Sequence, residues 1–195
     1  PTDAIGDPMQ FKEDATWFHD LAREVRPDCR VILYESWARR SSHSFYPGTF
    51  DDPGDMQAQL RFHYFDAAES FIPAMAMTTP NVTVAPAGDA WERQLAGGEP
   101  PRLHASDDYH AGAAGQYLNA LVIYSTIYGT SARGLVPIGV DAAVARTLQE
   151  TADATTGETR LPPGLGDPTF EVGHTVRVDV GPTDSGEWPA LLTAN

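Results

Sequence analysis

Apolar residues recur at helical spacing over residues 11–25, where "FKEDATWFHDLAREV" aligns Phe11, Ala15, Phe18, Leu21, Ala22 and Val25. The spacing predicts an amphipathic helix that turns this face to the core, ended by Pro27 and Asp28. The next apolar run, Val31-Ile32-Leu33-Tyr34 in "CRVILYESW", has no alternation. It reads as a short strand buried on both faces, as in a parallel sheet. "ARRSSHSFYPGTFDDPGD" over 38–55 is rich in Ser, Pro, Gly and Asp and has no period, which predicts a long surface loop. A helix over 56–77 follows, kinked or cut short by Pro73. A brief strand at 82–84 then leads through a turn into a helix over 87–95. The order so far is α, β, α, β, α.

Residues 112–128 predict a helix with almost no polar face, carrying Tyr117, Leu118, Leu121, Val122, Ile123 and Ile127, and therefore largely buried. Gly112 and Gly115 at its start allow close packing there. Another helix is expected over 141–154. Beyond it Pro and Gly increase, and residues 175–180 alternate as a strand does. The pattern divides the chain into one α/β domain over 1–157 and a Pro/Gly-rich tail with one strand over 158–195. It contains no internal repeat.

Charge narrows the set of partners. Twenty-seven acidic against thirteen basic residues give a formal charge of −14, which opposes nucleic acid and anionic membranes. No apolar run approaches the roughly 18 residues that span a bilayer, so a soluble chain is expected, with a secreted or periplasmic setting left open. The chain begins at Pro1, which leaves room for a removed leader or a longer N-terminal segment. Cys29 is the single cysteine, so neither an intrachain disulfide nor a cysteine-rich zinc motif can form.

The chemistry concentrates in "RLHASDDYHAGAAGQYLNALVIY", where Asp107 and His110 stand three apart ahead of the greasy helix. A histidine that shuttles protons needs a carboxylate to fix its tautomer and stabilise its charged form. On spacing alone, the plainer account is an Asp that caps a helix. Asp108 reads as a loop carboxylate facing solvent, so Asp108→Asn should cost less than about tenfold in rate. His104, Asp107, Asp108 and His110 crowd together but match no zinc signature, and "DDPGD" at 51–55 reads as a solvated turn rather than a calcium loop. The pattern calls for no metal and no cofactor.

The wider block resembles the last block of the SGNH (GDSL-type) hydrolase superfamily. It is most similar to a bacterial branch reading D-x-x-H-x-x-x-x-G-x-Y-L-x-A and then G-x-S-x-x-G-L. Here these positions are Asp107, His110, Gly115, Tyr117, Leu118, Ala120, Gly129, Ser131, Gly134 and Leu135. "VILYESWAR" and "VAPAGDAW" extend the similarity upstream. The resemblance implies a three-layer α/β sandwich with a parallel sheet (SGNH/flavodoxin-like) and a serine esterase or related acyl hydrolase acting on a small-molecule or glycan ester. In that family His is the general base and Asp orients it.

The family's "G-D-S" or "G-N-S" nucleophile block has no counterpart here, nor do its Gly and Asn blocks. Three explanations follow. The first strand and its serine lie on an N-terminal segment or partner chain that completes the sheet; the site is degenerate; or a serine within this chain has taken over. Ser131 in "GTSAR" lacks the second Gly of a nucleophile elbow, and Ser185 follows a strand but precedes no helix. Ser36 and Trp37, at the carboxyl edge of the first strand, are expected to line or support the pocket. The competing reading is a non-catalytic α/β domain that binds a carbohydrate or protein partner, with 39–55 as a lid.

Overall fold

The computed structural model describes residues 3–157; the tail over 158–195, with its expected strand and Ser185, lies outside them. The elements run α1 (Asp3–Gly6), α2 (Pro8–Val25), β1 (Val31–Tyr34), α3 (Pro53–Asp66), a π-helical turn (Ala67–Phe71), α4 (Ile72–Met75), β2 (Val82–Ala85), α5 (Ala87–Ala96), α6 (Ala113–Tyr128) and α7 (Ala142–Thr156). The architecture is mixed α/β, with two parallel strands in the register Val31↔Val82 through Tyr34↔Ala85.

Alternation along the strands sorts the core into two groups, because successive side chains point to opposite faces. Val84 joins Ala4, Phe50, Met56, Leu60 and Tyr64, with Leu33 and Val82 packed against them. Ala85 joins Trp91, Leu103, Leu118, Leu121 and Leu148, with Ile32 alongside. Leu60, Leu103, Leu118 and Leu148 are fully buried. Each such side chain contributes about 2 kcal/mol through apolar burial.

Local chemistry sets the helix ends. Asp52 caps α3 by accepting the Asp55 N–H at 3.0 Å, and Pro53 occupies the first turn, where a missing N–H costs nothing. "DDPGD" is therefore a helix start, not a solvated turn, and α3 begins three residues before the expected Met56. Near Pro73 the helix widens into the π turn over 67–71 and then resumes as α4. A proline supplies no N–H, and its ring crowds the carbonyl four residues back; the wider turn precedes that defect. α6 ends on Gly129 at φ 64°, the left-handed geometry that suits glycine.

Two expectations about burial are overturned. β1 is half-buried, with Tyr34 exposed, because among the described residues it pairs with β2 on one side alone. In α2, Phe18, Leu21 and Val25 are exposed together with Trp17, and Val25 retains 73% of its surface. The buried stripe of α2 is instead Ala15, Thr16, His19 and Asp20. Asp20 accepts the backbone N–H of Met77 at 2.8 Å and of Thr78 at 3.1 Å, and the Thr78 hydroxyl at 2.8 Å. His19 links Asp20 to Asn81: Nε2 accepts the Asn81 N–H at 3.2 Å and Nδ1 lies 3.2 Å from the Asp20 carboxylate. Polar groups thus dock α2 onto the approach to β2, and its apolar stripe faces outward.

Burial raises the Asp20 carboxyl, but the Met77 and Thr78 donors and His19 outweigh it and hold the group at about 2. A lowered acid stabilises the fold above its unfolded value of about 4, and that stability is lost as pH falls toward 2. Asp20→Asn should therefore cost about 2–3 kcal/mol at pH 7. In denaturant titrations the gap to the parent should close between pH about 4 and about 2.

Candidate active site

The turn between Leu103 and α6 is closed by backbone bonds, Ala105 N–H to the His110 carbonyl at 2.8 Å and Gly112 N–H to the Leu103 carbonyl at 2.7 Å. Gly115 seats the first turn of α6 against Trp91 and the Leu103 carbonyl, where any Cβ would collide. Together these place Asp107 and His110 at the mouth of α6.

Asp107 uses both oxygens on this turn. Oδ1 accepts the N–H groups of Tyr109 at 3.0 Å and His110 at 2.9 Å, and Oδ2 lies 2.6 Å from His110 Nδ1. The His110 hydrogen bond, followed by the two N–H donors, holds the Asp107 carboxyl far below the usual carboxylate range. An ionised Asp107 is an acceptor for an Nδ1–H, the tautomer that in a neutral imidazole keeps the lone pair on Nε2. The His110 side chain is 67% exposed.

The segment after β1 supports this turn. The Trp37 indole N–H donates to the Tyr109 carbonyl at 3.1 Å, and the Trp37 ring stacks on Trp91 at 4.4 Å. The Arg39 guanidinium sits 3.8 Å from the Tyr109 ring centre, and that ring lies 4.2 Å from the His110 imidazole. The loop is pinned further by the Tyr46 hydroxyl, which donates to the Arg39 carbonyl at 3.0 Å, and by buried Phe50.

At the end of β1, Glu35 is fully buried. It accepts the Gln57 amide at 2.9 Å and the Asp89 N–H at 3.1 Å, while the Gln57 oxygen takes the Ala38 N–H at 2.9 Å. Burial first, and then the Asp89 carboxylate, push the Glu35 carboxyl well above its usual range. Arg61 pairs with Asp89 at 2.7 Å and with Glu92. β1, α3 and α5 are thereby knotted beneath Ser36 and Trp37. The position of Glu35 directly after an apolar strand was the available signal, and sequence reasoning passed over it.

Among the expected site residues, Trp37 touches the turn itself, and Ser36 is buried at the strand end. A cleft of about 360 Å³ opens nearby between Arg39, Arg40, Gln57, Glu92, Glu99 and His104; neither Ser36 nor Trp37 lines it. His104 turns Nε2 to the Ala38 carbonyl at 3.0 Å. Among the described residues no three His, Cys, Asp or Glu side chains converge as metal ligands. Ser131 donates to Asp153 at 2.5 Å, on the connection from α6 to α7. Asp108 departs from expectation: it is not a solvated loop carboxylate, since Arg102, Arg40 and Ser42 all donate to it.

The fold and this turn define a mixed α/β protein with a histidine–aspartate pair at a helix mouth. No family model matches the chain, and no curated protein matches it. A crystal structure of a DUF4886 family protein from Bacteroides uniformis ATCC 8492 is similar in fold, with a TM-score of 0.57 and 14% identity over 77% of this chain. The match spans 59% of that protein's length. Among the described residues no helix is long and apolar enough to cross a membrane.

Proposed function

We propose that this chain is the histidine- and aspartate-bearing part of an SGNH-type serine hydrolase that cleaves an ester or O-acyl bond. The observation that carries the reading is the 2.6 Å contact between Asp107 and His110 Nδ1 in a solvent-accessible turn. In this mechanism a serine hydroxyl gives its proton to Nε2 as its oxygen attacks the acyl carbon, and Asp107 stabilises the imidazolium. The imidazolium then returns the proton to the leaving alcohol, and the acyl-enzyme is hydrolysed by water through the same base.

The nucleophile is placed on a preceding segment or a partner chain. Two features support that placement: β1 has an unpaired edge among the described residues, and α2 exposes Trp17, Phe18, Leu21 and Val25. A further parallel strand with its helix would pair the edge and cover the stripe, completing a three-layer sandwich. A serine-directed phosphonate should label the complete protein and leave this chain alone unlabelled. Labelling of this chain at Ser36, Ser131 or Ser185 would overturn the placement. If the complete protein resists the probe and hydrolyses no ester, a binding domain for a carbohydrate or protein partner replaces the hydrolase.

A further inference from the structure

Asp107 spends its hydrogen bonds inside the turn, so it fixes the imidazole relative to the turn but not the turn relative to the body of the protein. Asp108 makes that second connection. Its Oδ1 accepts from Arg102 Nη2 at 2.6 Å and from Arg40 Nη1 at 3.5 Å, and its Oδ2 accepts from the Ser42 hydroxyl at 2.5 Å. Its carbonyl accepts the Arg40 N–H at 3.0 Å. The donors are themselves held: Arg40 pairs with Glu99 at 2.9 Å, and Arg102 donates to the carbonyls of His104 at 3.0 Å and Ala105 at 2.7 Å. Asp108 adopts φ 59°, a left-handed conformation that is unfavourable for a residue with a side chain and is retained where surroundings enforce it.

We propose that Asp108 is a positioning residue for His110, latching the catalytic turn to the Arg40–Ser42 segment and to Arg102 so that Nε2 keeps one direction. The inference rests on the hydrolase reading for its kinetic consequence, but not for its structural one. Trp37 and Arg39 grip Tyr109 on the C-terminal side of Asp108. With the carboxylate gone, the turn would keep the Arg40 N–H on the Asp108 carbonyl, the Arg102 bonds to its carbonyls and the grip on Tyr109, but would lose the three side-chain donors that fix its tip. A misplacement of about 1 Å at a reacting group costs up to about 100-fold in rate.

The test is Asp108→Asn in the complete protein, because Asn accepts left-handed geometry and the substitution removes the charge without forcing the backbone. Turnover of a small aryl ester should fall about 10- to 100-fold with KM within about twofold. The order parameter of the His110 ring Cε1–H bond should fall, because the ring keeps its bond to Asp107 while the turn that carries both swings. Ser42→Ala should move both readouts in the same direction by less. Parental turnover and ring order accompanied by a lowered melting temperature would overturn the proposal. If His110→Ala retains full turnover, the hydrolase reading falls, and the ring order parameter in Asp108→Asn still decides whether Asp108 positions His110.

Discussion

On the proposed mechanism, His110→Ala in the complete protein should lower turnover of an aryl ester by about four orders of magnitude, with little change in KM, because it would remove the base and leave the rest of the site intact. Asp107→Asn should bring a loss of similar size. Its cause differs: an amide cannot hold the Nδ1–H tautomer as a carboxylate does, although one oxygen can still take the Tyr109 and His110 N–H groups found at 3.0 and 2.9 Å. The double variant should be scarcely worse than either single one, since both residues serve one proton transfer. A full cycle measured as kcat/KM checks this, and additive losses would mean that the two side chains act in separate steps.

The second large effect concerns the joint that presents this turn. A Cβ at Gly115 would stand 2.5 Å from the Leu103 carbonyl oxygen and inside contact distance of the Trp91 ring. Trp91 is held in turn by its indole N–H on Asn119 Oδ1 at 2.7 Å. Neither neighbour is the loose end of a flexible chain. Gly115→Ala should therefore cost about 3 kcal/mol despite the better helix propensity of alanine. The melting temperature should drop by about 10 °C. Gly134→Ala supplies the contrast: it has open space around it but φ of 84°, so its penalty is conformational and smaller.

Local rules carried the sequence reading a long way. The strands expected at 31–34 and 82–84 and the helices expected from about 87, 112 and 141 begin within a residue of Val31–Tyr34, Val82–Ala85, Ala87–Ala96, Ala113–Tyr128 and Ala142–Thr156. α2 shows where such reasoning stops. Periodicity assigns the hydrophobic stripe Phe18-Leu21-Val25 to the core because it identifies an apolar face without revealing what lies against it. The actual partner is the polar approach to β2, which His19 and Asp20 satisfy. Asp107 and His110 were legible because their contact is local, three residues apart. Asp108 was misread for the opposite reason: Ser42 and Arg40 lie more than sixty positions away, and no spacing rule brings them together.

Glu35 has a consequence for how this domain tolerates change. A fully buried acid whose carboxyl is driven upward by its surroundings is costly to ionise; Gln would keep an acceptor without the charge, whereas an apolar side chain would leave the Gln57 amide and the Asp89 N–H without a partner. Its two oxygens gather the amide of Gln57 and the N–H of Asp89 immediately below the segment that grips Tyr109. Selection for heat resistance would therefore be expected to admit Gln at position 35 and to reject apolar residues there.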